Sequence, residues 1–413
     1  MVLLLYKSRG VIPLILIVYI ITAILLAILT YPEPSYNGLL LRDDYRVILF
    51  SDSVVSIIKD NSTIVILKDA SILLDEVGKP CYSGGSELYI ATEDKLILVS
   101  HVDGVDLRSL ILPFKLNNYG LWCSDNTLVV SGFSKGILRV LRVDTSNLKA
   151  TIWSINTSMV GETYTLVHNN VIYVAVSSLI VEITDLNIKV YKLVENMDIK
   201  GLTLDRDSLI AYGSRDSGSF IYRFDEREVI VIEVPGRISH ADIVLCEDYW
   251  CRALIRPEGD WPFIIEFKLW SYISDAKFIG LKPFIYYSAG ASNSIWFSGK
   301  LVDEGTIVLS IKSTRKAIIG ESSLKAFFLT EEVKPNPRIN KFKIPPEIEV
   351  VKSSVDQVKL IEESISFSTI SIPIVKIKAI ESRMEKIFTV IVISAPIIAY
   401  IARKILNITT NTL

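Results

Sequence analysis

Between Arg46 and Ile319 the chain repeats itself. Apolar strand, turn, apolar strand, acidic turn and apolar strand return about every 40 residues. The acidic turn sets the register. Val102-Asp103-Gly104-Val105-Asp106 runs into Ser109-Leu110-Ile111-Leu112, and Val143-Asp144-Thr145-Ser146-Asn147 runs into Ala150-Thr151-Ile152-Trp153. Ile183-Thr184-Asp185-Leu186-Asn187 and Phe224-Asp225-Glu226-Arg227-Glu228 are the next two copies. Weaker copies stand at Leu67-Lys68-Asp69, Phe267-Lys268-Leu269 and Ile311-Lys312-Ser313. Asp and Asn suit such turns because their side chains satisfy nearby backbone N–H groups.

Two alternating apolar runs and a shorter inner run precede each register, so each step holds four strands. A four-stranded unit of this length cannot bury its faces alone, and stacking around an axis solves the problem. The expected fold is therefore all-β, a seven-bladed β-propeller. Its blades are expected at Arg46–Val77, Pro80–Leu112, Tyr119–Trp153, Thr163–Leu193, Gly201–Val234, Ala241–Ile279 and Pro283–Ile319. Six or eight blades, or a pair of β-sandwiches, remain as alternatives. With the first strand at Arg46 and the last ending at Ile319, ring closure is expected to rest on side-chain packing between blades one and seven, with Leu324–Thr330 as a supplementary strand. The step resembles WD-repeat and quinoprotein-like propellers in strand layout, without a Trp-Asp ending or a regular tryptophan docking motif.

Both ends are greasy. Residues 11–30 (VIPLILIVYIITAILLAILT) carry no charge, and about 20 apolar residues suffice for a membrane-spanning helix. Lys7 and Arg9 precede the segment, whereas Glu33, Asp43 and Asp44 follow it. The positive-inside rule then places residues 1–10 in the cytoplasm and the bulk of the chain outside. An uncleaved signal anchor is the leading reading, and a removed secretory signal is the second. A third rests on Arg9-Gly10 directly before Val11, which resembles the class III signal peptides of archaeal pilin-like proteins. That resemblance implies cleavage after Gly10 and a surface-filament subunit. Pro13 early in the helix departs from it. Residues 387–402 (IFTVIVISAPIIAYIA) form a second candidate transmembrane helix, short and interrupted by Pro396, with a tail at 403–413. Residues 31–45 read as a linker. Residues 320–386, punctuated by Pro335, Pro337, Pro345 and Pro346, read as a stalk with a small β element.

Composition narrows the function classes. The net charge is −2 and no basic stripe with interleaved aromatics is present, which argues against nucleic acid as a partner. Gln357 is the sole glutamine, while charged residues are frequent. That combination reads as a heat-loving prokaryotic, archaeal-like source, or as drift in an AT-rich genome. The four cysteines form no C-x-x-C pair, so zinc is disfavoured. Cys246 and Cys251 flank Glu247-Asp248-Tyr249-Trp250 and come opposite each other if those residues form a hairpin loop. Cys81 and Cys123 fall at equivalent points of successive repeats. Two disulfides, Cys246–Cys251 and Cys81–Cys123, are expected outside the cytoplasm. Asn61 and Asn156 stand in N-x-[ST] triplets in expected surface turns and are candidate glycan acceptors; Asn407 is a third, beyond the last apolar segment.

Four-stranded blades sort their turns onto two faces. Turns between the second and third strands share a face with the connections between blades. On that face, blades five and six bring together Arg215, Asp216, Arg237, His240, Arg256, Glu258, Asp260 and Trp261, the candidate ligand-binding cluster. Both tethers are expected to leave from this face. Ser214-Arg215-Asp216-Ser217-Gly218-Ser219-Phe220 resembles the Asp-box of sialidase-type propellers, one residue short, and is read as a structural turn. His101, His168 and His240 lie in separate blades without metal-ligand spacing, and no P-loop, nucleophile elbow or dinucleotide fingerprint occurs. Neither cofactor nor metal is expected. The leading functional reading is a membrane-anchored, non-enzymatic binding or assembly module, with membrane lipid and another membrane or cell-surface protein as partners. A propeller enzyme, glycosidase or quinoprotein-like dehydrogenase, is the alternative.

Overall fold

The computed structural model describes residues 36–380, apart from 52, 69, 84–86, 101–104, 125, 158, 186, 194–196, 217, 248–249, 260–261, 269–276, 282–284, 292–294, 302–304, 312–317, 320–326, 331–337, 352 and 366. The two apolar segments, 11–30 and 387–402, the residues beside them, His101 and Asn407 lie outside the described residues. Among the described residues no helix is long and apolar enough to cross a membrane.

The chain opens with β1 (Tyr36–Leu41) and then lays down blades in sequence order. Blade one holds β2–β5 (Arg46–Phe50, Val55–Lys59, Ser62–Ile66, Ser71–Leu74), and blade two holds β6–β9 (Lys79–Tyr82, Glu87–Ala91, Lys95–Ser100, Asp106–Ile111). Blade three holds β10–β13 (Asn117–Ser124, Thr127–Ser134, Ile137–Asp144, Lys149–Ile155), and blade four holds β14–β17 (Thr163–His168, Val171–Val176, Leu179–Ile183, Ile188–Lys192). Blade five holds β18–β21 (Met197–Asp205, Ser208–Arg215, Gly218–Arg223, Glu228–Glu233), and blade six holds β22–β25 (Ser239–Glu247, Trp250–Pro257, Phe263–Lys268, Lys277–Leu281). Blade seven holds β26–β28 (Ile285–Ala291, Ile295–Leu301, Gly305–Ile311) and takes β1 as its fourth strand. The innermost strands β2, β6, β10, β14, β18, β22 and β26 neighbour one another in a closed circuit. This is a seven-bladed propeller.

The apolar runs follow from burial on both faces. In β11, Leu128 and Val130 enter the core between blades two and three, while Val129 and Phe133 enter the core between blades three and four. In β12, Leu141 and Val143 go one way and Leu138 and Val140 the other. A strand sandwiched between blades needs apolar side chains at successive positions, not at every second one. Full burial of each such Val or Leu is worth about 1.5–3 kcal/mol.

Ring closure differs from the expectation. β1, inside the segment read as a linker, pairs antiparallel with β28 from Tyr36↔Ile311 to Leu41↔Thr306, so backbone hydrogen bonds close the ring. Thr306 reinforces the joint: its hydroxyl accepts from the Tyr45 amide at 2.9 Å, and its own amide donates to the Asp43 carbonyl at 3.1 Å. Gly305 makes the approach feasible, because a Cβ there would lie 2.1 Å from the Leu41 carbonyl oxygen and its φ is +112°. The first strand of this compact unit therefore begins at the Ile311 end of blade seven. That end belongs to the face opposite the one from which the tethers were expected to leave.

Much of the segment read as a stalk, its described residues between 328 and 377, belongs to the same compact unit as the blades. It supplies β30 (Phe327–Thr330), β31 (Arg338–Lys343), β32 (Glu347–Val351), β33 (Ser354–Lys359), β34 (Ile361–Ser364), β35 (Ser368–Ile370) and β36 (Ile374–Ile380), following the two-residue β29 (Ile318–Ile319). β30 joins blade six, β31 blade five, β32 blade four, β33 blade three, β34 blade two and β35 blade one, each antiparallel to the outermost strand it meets. β36 lies beside β1 in blade seven. The chain thus retraces the ring backwards as a belt. From β31 to β36 only one to three residues separate consecutive strands. Such a connector reaches at most about 14 Å, so the belt strands run head to tail along the perimeter.

Six described cores between blades, all but that between blades six and seven, receive belt side chains. Ile339, Ile344, Val351, Leu360 and Ile365 each enter a different cluster, and Ile370, Ile372 and Ile374 enter the one at the closure. The remaining belt positions are mostly exposed. The belt strands are short and rich in Lys, Glu and Asp, which discourages pairing of their free edges with another chain.

The chain divides into two compact units, one of residues 36–314 and 328–377 and one of residues 1–35, 315–327 and 378–413. In the second, the described ladder joins Ile318↔Ile380 and Ile319↔Ala379.

Candidate functional site

The described members of the expected cluster, Arg215, Asp216, Arg237, His240, Arg256 and Glu258, lie on the face of the connections between blades, where the inner strands begin. The inner strands of blades one, three, five, six and seven carry a register shift near the ends that open onto this face: between Val47 and Leu49, Asn117 and Gly120, Ile199 and Gly201, Ala241 and Ile243, and Tyr286 and Ser288. Bulges re-aim side chains and recur beside functional sites. Here the displaced positions include Tyr119, Lys200 and Asp242.

Around them lies a polar network that crosses blades. Lys79 of blade two reaches past blade three to Glu162 at the entrance of blade four, Nζ–Oε1 2.8 Å, and its ammonium stands 5.7 Å from the Tyr119 ring centroid. The Tyr164 hydroxyl donates to the other Glu162 oxygen at 3.0 Å. Lys200 pairs with Asp198 at 2.7 Å, and Lys95 with Glu76 at 2.8 Å. Burial alone would raise the Glu162 carboxyl. The hydrogen bond and charge of Lys79, the Tyr164 hydroxyl and the charge of Lys200 outweigh it, and the group sits below the ordinary range. Burial, aided by the Glu93 and Glu76 charges, pushes the Tyr119 phenol up to about 12. Burial first, and Glu162 second, raise Tyr164 as well.

The floor under this network is rigid. Thr163, 1% exposed, donates its hydroxyl to the carbonyls of Asn118 at 2.9 Å and Ser131 at 3.0 Å, bolting blade four to blade three. Gly120 permits the approach, since a Cβ there would lie 2.5 Å from the Thr163 carbonyl oxygen.

The residues singled out in sequence are distributed as follows. In blade six, Arg237 Nη1 donates to the carbonyls of Glu258 and Gly259, both at 3.1 Å, and His240 Nε2 lies 3.4 Å from Glu258 Oε1. Arg256 makes a two-pronged contact with Asp242 at 2.7 and 3.2 Å. Asp242 was not among the sequence candidates. In blade five, Arg215 and Asp216 face each other at 3.7 Å across their own turn. Asp216 has φ +46°, and β19 and β20 meet in a tight hairpin there, so the Asp-box-like stretch serves as a turn. Asp260 and Trp261 lie outside the described residues. His168 is on the opposite face, 3.1 Å from Asp207. Among the described residues no group of His, Cys, Asp and Glu could hold a metal ion.

Both disulfides are present. Cys81 of β6 and Cys123 of β10 join the inner strands of blades two and three, Cα–Cα 6.0 Å. Cys246 and Cys251 stand directly opposite in the β22–β23 ladder, Cα–Cα 4.1 Å. That ladder extends to Glu247↔Trp250, so the hairpin is two residues tighter than the four-residue loop considered from sequence. Asn61 and Asn156 are exposed, and both lie on the face that carries the polar network.

No family model and no curated protein matches the chain. Among solved structures, the AfRom2 CNH domain shares 12% identity over 68% of this chain and 100% of its own, with a TM-score of 0.39. The WD40 domain of SCAP from fission yeast shares 11% over 67% and 87%, with a TM-score of 0.33. The Vanderwaltozyma polyspora Nup133 β-propeller domain shares 10% over 68% and 99%, with a TM-score of 0.27.

Proposed function

We propose that this protein is a membrane-anchored, extracytoplasmic binding or assembly module that docks a second membrane or cell-surface protein through the face of the connections between blades. The observation that carries this reading is the network itself. Side chains from blades two to six converge on one face, where Lys79–Glu162, Lys200–Asp198 and Arg256–Asp242 form ion pairs and His240 meets Glu258. A relief of alternating charge on a rigid floor suits electrostatic complementarity with a protein surface, which sets partner choice and register. Catalysis would ask for a nucleophile or general acid held ready for substrate. The two disulfides favour an oxidising compartment, and the uncharged segment at 11–30 supplies an anchor. Asn61 and Asn156 are proposed glycan acceptors in that compartment.

The test is affinity capture of the detergent-solubilised full chain from its native membranes, with quantitative identification of what is retained. Arg237→Glu combined with Lys200→Glu is expected to release a partner that the wild type holds. Equal retention by wild type and variant, or no specific retention by the wild type, would sink the docking face.

A further inference from the structure

On the opposite side of the ring, blades two and three flank a cleft of about 480 Å³ that the docking face does not use. We infer that this cleft is a binding site for a neutral, polyhydroxylated ligand, a saccharide. The volume lies within the range typical of small-ligand sites, about 300–1,000 Å³.

The walls come from three separate parts of the chain. Blade two supplies Glu87, Leu98, Arg108 and Leu110; the turns of blade three supply Asn126, Thr145 and Leu148; the belt supplies Glu362. Each charged group here already has a partner at the wall, one guanidinium among three carboxylates. Arg108 lies 3.2 Å from Asp106 and 3.5 Å from Glu362, and Glu87 accepts from the Tyr89 hydroxyl. An anion would meet the carboxylates, and a cation would have to compete with Arg108 and the Tyr89 hydroxyl for them. A sugar would add to these pairs: carboxylate oxygens accept from vicinal hydroxyls, while the guanidinium and the Asn126 amide donate to hydroxyl oxygens. Half-buried Leu148, backed by the core residues Leu98 and Leu110, offers apolar surface for the C–H face of a pyranose ring.

A second observation singles out this pair of blades. The Cys81–Cys123 disulfide crosses the same interface. The belt fixes the outer wall, where Ser109 Oγ donates to the Glu363 carbonyl at 3.3 Å and the Leu360 amide donates to the Leu148 carbonyl at 2.9 Å. Held walls reduce the ordering cost of binding.

The test is binding of the detergent-solubilised full chain to an array of immobilised neutral mono- and oligosaccharides, with sulfated glycans and free amino acids as separate arms. The expected result is retention on neutral saccharides, weakened at least tenfold by Arg108→Ala. Ser146→Trp, on the exposed rim of the cleft, is expected to block binding sterically in a protein that still folds, at the loss of one exposed hydroxyl bond to Asp144. No retention on neutral saccharides, retention confined to the sulfated or amino-acid arms, or retention unaltered in a folded Ser146→Trp protein would overturn the inference.

Discussion

The hydroxyl of Tyr222, in the third strand of blade five, donates to the carbonyl oxygen of Ile344, in the belt, at 2.9 Å. The Ile344 amide donates in turn to the Arg227 carbonyl at 2.8 Å, so both polar groups of this belt residue are engaged just before Pro345 and Pro346. Tyr222 also meets Phe224 edge-on at 5.0 Å, and Phe224 meets Tyr191 at 5.5 Å. Tyr222→Phe keeps the ring packing and removes the hydroxyl. It is expected to cost about 1 kcal/mol, read as a lowered denaturant midpoint with an unchanged slope. A neutral result would mean that the belt is not held at this corner.

The belt has two faces, and substitution should separate them. Leu360 is 5% exposed within the core between blades two and three, whereas Val350 is 71% exposed. Leu360→Ala is expected to cost about 2–5 kcal/mol. Val350→Ala is expected to stay within about 0.5 kcal/mol of wild type. Thermal unfolding of the two variants side by side checks the difference, and equal effects would mean that the belt is not seated as described.

The two disulfides should differ in worth. Cys81–Cys123 closes a sequence separation of 42 residues and Cys246–Cys251 one of 5. Loop-closure entropy assigns them about 4 and about 2 kcal/mol, respectively. Paired Cys→Ser variants, compared by chemical denaturation, should rank in that order. The reverse ranking would contradict the entropic account.

Alkaline pH should unfold the protein through its tyrosines. Burial pushes Tyr119 and Tyr222 up to about 12 against an ordinary 10.0, and it also raises Tyr164, Tyr191 and Tyr212. The folded state holds these protons more tightly than the unfolded chain. Their contribution is therefore complete below pH 10.0 and is lost as the pH rises toward about 12. Tyrosinate absorbance and circular dichroism should change together in that window. Complete tyrosine titration near pH 10 in a still-folded protein would refute the prediction.

The blades were legible in the sequence because burial on both sides writes long apolar runs, as in Thr127–Ser134, and because Asp144 and Asn147 mark a turn that the fold needs. The belt was not legible. β34, Ile361–Ser364, is exposed at every position, and its neighbours anchor through single residues such as Val351 or Leu360. Such a pattern has no period. β1 was hidden for a different reason: its partner, β28, lies more than 260 residues away along the chain. The charge cluster in blade six was readable because Arg237, His240, Arg256 and Glu258 sit in neighbouring turns. The Lys79–Glu162 contact was not, since 83 residues separate its ends and the repeat does not encode side chains that skip a blade.

The reversed course of the belt has a consequence for biosynthesis. β36, the last of the described strands, settles beside β1, the first of them. Translation must pass β36 before the outer edges of all seven blades are covered, and until then a row of nascent sheets waits with open margins. The finished ring is fastened in the opposite order to its manufacture, and its final stitch lands on its earliest thread.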